Sequence, residues 1–182
     1  MIRSFIAIKI TPDEEFIDAF RLLKDQLSDE KINWVDTKNL HLTLKFLGNI
    51  TEQELNNIQN ELAKVKLVKP FKFHVGGIQL IKDLKNPRVI YSEIKAENNL
   101  FQLAEEIDLR LSKLGFERDK KFLPHLTLGR IKFLKRKDLL GSILNDLKNV
   151  YFQQAECNEF YLYKSTLTPS GPIYKVLKTY KL

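Results

Sequence analysis

Residues 4–10 alternate, with Phe5, Ala7 and Lys9 on one side and Ile6, Ile8 and Ile10 on the other. That period of two predicts a buried strand. Thr11, Pro12 and Glu14 follow and predict a helix start, with Thr11 as the cap and Glu14 closing a capping box. Phe16, Ala19, Phe20, Leu23 and Leu27 continue at helical spacing. Residues 32–35 and 40–47 return to strand. Gly48 and Asn49 mark a turn, and Thr51 with Glu54 makes a second capping box. Leu55, Ile58, Leu62 and Val65 form the apolar stripe of the helix that follows.

The second half has a similar rhythm. Residues 71–81 and 88–94 predict two strands, and residues 83–87 a hairpin loop between them. Leu100, Leu103, Ala104, Ile107, Leu111 and Leu114 give a helix stripe, with Gly115 as its stop. A strand over 125–131 comes next, then a helix on Leu139, Leu140, Ile143, Leu144 and Leu147. Residues 151–155, 160–163 and 174–180 read as closing strands. No Pro/Gly/Ser-rich linker divides the chain. The fold class expected is α+β: one domain over residues 1–182, made of two pseudo-symmetric lobes.

The repeat has a sharp centre. His-Leu-Thr-Leu occurs at His41 to Leu44 and again at His125 to Leu128, and the chain has three histidines in all. Ordinary residue usage would place Leu-Thr-Leu after a given His roughly once in a couple of thousand cases. On a strand, His41, Thr43 and Lys45 share one face, and Leu42, Leu44 and Phe46 take the other. His125 and Thr127 likewise share a face, with Leu126 and Leu128 behind them. The leucines can anchor each strand while the polar faces line a cleft.

Cleavage of a phosphodiester needs a base for the attacking oxygen and an acid for the departing one. An imidazole suits either role, because its ordinary pKa of about 6.5 lies near working pH. Hydroxyls and cations can stabilise the extra charge on the non-bridging oxygens. Strict alternation puts Arg130 on the leucine face, unless Gly129 permits a bulge that turns it inward as a phosphate clamp. The alternative is an arginine at an exposed strand end. Lys45 has the parity for the cleft but no equivalent in the second copy, where Gly129 takes its place, so a solvated lysine is the competing reading. His74 lacks a Thr partner and reads as an exposed strand residue.

Composition narrows the class. Lys and Arg outnumber Asp and Glu by 30 to 23, a net charge of +7, which suits a polyanionic partner such as RNA or serves solubility. The stretch from Lys132 to Lys137 could draw an RNA backbone toward the cleft, or be a solvated turn before the last helix. Cys157 is the only cysteine, so no internal disulfide can form, as expected of a cytoplasmic protein. The start has no signal-peptide pattern, and no apolar run approaches the ~20 residues that span a membrane. Neither His-Glu-x-x-His nor a Cys cluster is present, so neither metal nor cofactor is expected.

These residues resemble the 2H phosphoesterase superfamily, and within it the RNA 2′,3′-cyclic phosphodiesterases, also called 2′-5′ RNA ligases. The likeness runs through residues 3–8, through Trp34 and Val35, through residues 40–48 and 124–130, and through the closing segment 165–174, which includes Ser170. It implies a bilobal fold whose antiparallel sheets line a V-shaped groove, with helices outside. It implies metal-free hydrolysis of a 2′,3′-cyclic phosphate at an RNA 3′ end to a 2′-phosphate. Some members also join tRNA halves through a 2′-5′ bond. Under this resemblance His41 is the proton donor and His125 the acceptor, although the near-symmetry leaves the assignment open. Thr43 and Thr127 bind the non-bridging oxygens and Arg130 adds charge. The partner implied is an RNA 3′ end, acted on by a monomer. Phe5, Trp34 and Tyr163 are candidates to stack on a base, with core packing as their competing role. Two other classes stay open: a non-catalytic module that binds RNA ends or nucleotides, and a hydrolase with His41 and His125 as metal ligands.

Overall fold

A computed structural model describes residues 1–66, 68–169 and 171–182. Ser170 of the closing segment lies outside the described residues. The strands are β1 (Ile2–Lys9), β2 (Lys31–Trp34), β3 (His41–Ile50), β4 (Phe71–Ile81), β5 (Val89–Ala96), β6 (His125–Phe133), β7 (Tyr151–Cys157), β8 (Glu159–Thr168) and β9 (Gly171–Lys181). The helices are α1 (Glu14–Gln26), α2 (Glu52–Leu62), α3 (Asn98–Ser112) and α4 (Lys137–Leu147), and a 3-10 turn spans Thr37–Asn39.

Among the described residues these strands make one curled antiparallel sheet, ordered β7-β4-β5-β6-β3-β1-β8-β9, with β2 also on β6. The two sheets expected from the sequence therefore join edge to edge. The join is narrow: β3 and β6 pair through Leu42 opposite Leu126, both fully buried. Further along β6 the same edge is taken by β2, with Trp34 opposite Gly129. The leucine faces of β3 and β6 enter one core with the stripes of all four helices, so the helices cover that side of the sheet. No helix is long and apolar enough to cross a membrane among the described residues.

β1 is buried on both faces, as its apolar composition predicts. Ile6 and Ile8 join the main core. Phe5 and Ala7 point the other way and pack with Tyr163 in a second, separate cluster, flanked by Tyr161 and Tyr174. A curled sheet with apolar side chains on both faces needs cover on both, and here the rings supply it on the inner side.

The start of α1 differs from expectation. Asp13, not Thr11, is the cap, and its Oδ1 accepts from the Phe16 N–H at 2.9 Å. The cause is Gln153 on β7, buried at 3% exposure. Its side chain accepts from the Asp13 N–H at 3.0 Å and donates to the Thr11 carbonyl at 3.1 Å, holding residues 11–13 extended. The second expected capping box, Thr51 with Glu54, is present in full. Gly115 adopts φ +90° after α3, a left-handed conformation that glycine takes without Cβ strain.

Each motif strand carries one extra residue at the same place. In β3 the register against β1 runs Ala7 to Thr43 and then Ile6 to Lys45, passing over Leu44. In β6 the register against β5 runs Tyr91 to Thr127 and then Ile90 to Gly129, passing over Leu128. Both bulges invert the alternation beyond them.

The caps give a direct check on the fold. Asp13→Ala should lower unfolding stability by about 1 kcal/mol in urea titration. Thr11→Ala should cost less than about 0.5 kcal/mol, because Thr11 contributes its carbonyl rather than its hydroxyl.

Candidate active site

Opposing Leu42 and Leu126 in an antiparallel pair puts a local two-fold axis between them. About that axis His41 and His125 exchange, as do Thr43 and Thr127. In register, His41 lies level with Thr127 and Thr43 with His125, all four half-buried on the face away from the leucines. The doubled tetrapeptide is thus one constellation.

Each imidazole is held the same way. The His41 Nδ1–H donates to the Asn39 carbonyl at 2.6 Å, and the His125 Nδ1–H to the Leu123 carbonyl at 2.8 Å. A carbonyl only accepts, so Nδ1 keeps its proton and Nε2 is left to take or give one. The Asn39 side chain donates to the Pro172 carbonyl at 3.0 Å, which fixes the turn before His41 to β9. Phe5 and Tyr174 flank the His41 ring at 4.9 and 5.2 Å between centroids. Tyr91 meets the His125 ring edge-on at 5.5 Å. Burial pushes the His41 imidazole below its ordinary pKa, against the Asn39 bond, which raises it; the charges of His125 and Arg130 lower it further.

The bulge in β6 resolves the position of Arg130. Leu128 and Gly129 are both buried, Arg130 is exposed and Ile131 is buried again, so Arg130 stands on the histidine face. Its charge acts on both His41 and Tyr174.

The bulge in β3 overturns both sequence readings of Lys45. Lys45 lies on the core side at 4% exposure, neither in the cleft nor in solvent. Phe46 takes the site face in its place, 65% exposed, with its ring 6.3 Å from Phe5. Phe46 is the counterpart of Arg130, each lying five residues after its histidine. Sequence reasoning missed Phe46 because strict alternation assigned it to the core. The signal was available, since the bulge allowed for Arg130 applies equally to its counterpart.

Other candidates separate. Phe5 and Tyr163 stack at 5.1 Å in the inner cluster beside His41, whereas Trp34 packs in the main core, edge-on to Phe20. His74 is exposed on β4 with its ring 5.5 Å from Tyr151, apart from the other two histidines. Residues 132–137 are the exposed end of β6 and the turn into α4. The Glu30 carboxylate accepts the N–H groups of Lys135 and Arg136, at 2.6 and 3.1 Å. Among the described residues, no three His, Cys, Asp or Glu side chains gather as metal ligands.

With this geometry in hand, the sequence matches the LigT-like phosphoesterases over residues 8–91 and 93–174. The chain belongs to that family. A family relative named RNA 2′,3′-cyclic phosphodiesterase, from Methanocaldococcus jannaschii, is 38% identical over 177 residues, covering 97% of this chain and 98% of the relative. Another of the same name, from Archaeoglobus fulgidus, is 34% identical over 180 residues, covering 98% and 99%. A crystal structure of a Thermus thermophilus protein superposes with a TM-score of 0.81 at 28% identity, covering 100% of this chain and 98% of that one. The apo crystal structure of Escherichia coli LigT shares the fold, with a TM-score of 0.74 at 20% identity, covering 100% and 97%.

In this LigT-like phosphoesterase, Arg130 is a positive charge that disfavours a proton on His41. Removing that charge should raise the His41 pKa. In Arg130→Gln, followed by NMR of the imidazole resonances, the His41 titration should move to higher pH. No movement, or movement to lower pH, would show that the guanidinium does not act on this ring.

Proposed function

We propose that this protein hydrolyses 2′,3′-cyclic phosphate ends of RNA to 2′-phosphates by paired-histidine acid–base catalysis. The observation that carries the reading is the meeting of two His-x-Thr units about Leu42 and Leu126, each with Nδ1 tied to a carbonyl and Nε2 left over. The names of its full-length family relatives point to the same substrate class.

In-line displacement needs the attacking and departing oxygens on opposite sides of phosphorus. A two-fold pair of imidazoles supplies a proton acceptor on one side and a donor on the other. Phosphorus sits near the axis, with Thr43 and Thr127 donating to its non-bridging oxygens and Arg130 adding charge. His125 takes a proton from water as the new P–O bond forms. His41 gives a proton to the 3′ oxygen as the P–O3′ bond breaks. Burial and the Arg130 charge lower the His41 pKa in the free protein. An arriving phosphodiester monoanion opposes that charge and favours a proton on His41, where the leaving oxygen needs one. Phe46 offers an exposed ring to the terminal base, beside the layer of Phe5, Tyr163 and Tyr174.

The site is complete within one chain, which supports a monomer acting as one catalytic unit over residues 1–182. The single, buried Cys157 supports a cytoplasmic setting. RNA 3′ ends, tRNA halves among them, are the partner, and 2′-5′ joining is the same ring opening with a 5′-hydroxyl in place of water as the nucleophile.

His41→Ala and His125→Ala should each lower turnover of a 2′,3′-cyclic oligonucleotide by about 10²–10⁴-fold. Thr43→Ala and Thr127→Ala should slow it less, and excess chelator should leave the wild-type rate unchanged. Binding of RNA ends with no opening of the ring would leave a binding module instead. Activity lost to chelator and restored by zinc would make the histidines metal ligands. A 3′-thio leaving group departs without an acid, so it should rescue His41→Ala and not His125→Ala. The opposite pattern would exchange the two roles.

A further inference from the structure

Lys45 is nearly fully buried, yet its ammonium makes two hydrogen bonds and meets a second carboxylate. Nζ donates to Asp108 Oδ1 at 2.5 Å, to the Glu117 carbonyl at 2.6 Å, and lies 3.1 Å from Asp119 Oδ2. Asp108, on α3, also accepts from Arg118 Nε at 3.0 Å and from the Asp119 N–H at 3.3 Å. Burial alone would push the Asp108 carboxyl up; the bonds from Lys45, Arg118 and the Asp119 backbone outweigh it and hold the group below the usual range.

Three of these partners, Glu117, Arg118 and Asp119, lie on the connection from α3 to β6. That connection has little regular structure between Gly115 and Pro124, and it ends on Leu123, whose carbonyl receives the His125 Nδ1–H. A groove of about 410 Å³, floored by Leu44 and Asp108, lies between it and α3. Apolar packing holds the segment at Phe116 and Phe122, while residues 117–121 between them are all charged.

The other motif has a matching arrangement built from different chemistry. Gly129, the counterpart of Lys45, is covered by Trp34 and Ile32 on β2, the segment that leads into His41. A Cβ at Gly129 would stand 2.7 Å from the Trp34 ring and 2.8 Å from Ile32, so the close approach requires glycine. Each motif strand thus clasps the approach to the other motif.

We propose that Lys45, paired with Asp108, is a positioning residue for His125: from the strand that carries His41 it fixes the segment whose Leu123 carbonyl orients the second imidazole. Lys45 touches no substrate in this role, and the inference rests on the reading of His125 as an acid–base group. It gives the first motif a second duty, as the anchor that sets where the other histidine stands.

The test is a double-mutant cycle. Lys45→Met, confirmed folded by its circular dichroism, should lower kcat by about tenfold or more with KM within about twofold. In a His125→Ala background the same substitution should cost nothing further, because a group acting only through His125 has nothing left to position. The His125 Nδ1–H resonance should shift or exchange faster in Lys45→Met, and the His41 resonance should not. Asp119 is half-exposed, so Asp119→Ala keeps the fold, serves if Lys45→Met does not fold, and should show a smaller loss of the same kind. Wild-type kcat in folded Lys45→Met, or in Asp119→Ala where Lys45→Met does not fold, would overturn the inference. So would an equal loss with and without His125. Full activity in His125→Ala alone would instead overturn the acid–base reading on which it rests.

Discussion

The opposition of Leu42 and Leu126 is the constraint on which the rest depends. An antiparallel ladder has a two-fold axis at each directly opposed pair. Placing the same residue of two identical tetrapeptides on that axis makes the polar faces symmetric without a dimer. The leucines have no exposed surface, and full burial of each is worth about 1.5–3 kcal/mol. A one-residue slip of either strand would turn its histidine into the core and its leucines onto the site face. The pairing is therefore held by the hydrophobic cost of misregister rather than by many hydrogen bonds. The narrowness of the join is useful in itself. Beyond Leu126 the edge of β6 passes to β2, so this short pairing alone joins the two halves and leaves them free to curl.

On this symmetric frame the chain builds two unlike walls. The bulges after Thr43 and Thr127 turn the residue five past each histidine onto the site face. In one copy it is Phe46 and in the other Arg130. A ring on one side and a guanidinium on the other suit a ligand with a base at one end and a phosphate at the other. The aromatic layer continues behind Phe46 through Phe5, Tyr163 and Tyr174, and burial keeps these phenols neutral, that of Tyr163 pushed up to about 12. The same layer buries His41, and burial lowers its pKa; on the proposed mechanism, recognition and acid–base tuning share one set of side chains.

Much of this was legible in the sequence because it is periodic. The helices declare themselves by stripes and caps, the strands by alternation, and the histidine–threonine face by its repetition. Resemblance supplied the family and the chemistry that the spacing alone left open. The misreadings share one cause, a local departure from period. Lys45 and Phe46 were assigned to the wrong faces because a bulge inverts parity, and no residue type announced it in β3, where the bulge falls at Leu44 and Lys45 rather than at a glycine. The helix cap moved from Thr11 to Asp13 because Gln153, far away in sequence, holds the intervening backbone extended. Long-range hydrogen bonds of that kind leave no local pattern.

The two clasps show why the symmetry is broken beneath the site as well as above it. β2 pairs with β6 from Ile32 to Trp34, so its register there is set by the strand ladder, and Trp34 over Gly129 adds contact. The corresponding segment before His125 has no such ladder. Apolar contact alone would fix its distance but not its direction. A buried ion pair rarely gains net stability over well-packed apolar groups, because desolvation offsets the attraction. What it gains is geometry: two directed hydrogen bonds and a second carboxylate fix the segment in a way that a hydrophobic surface cannot. Lys45 is placed where that directional hold is lacking, and the residue it stabilises by position is the histidine at the far end of the loop.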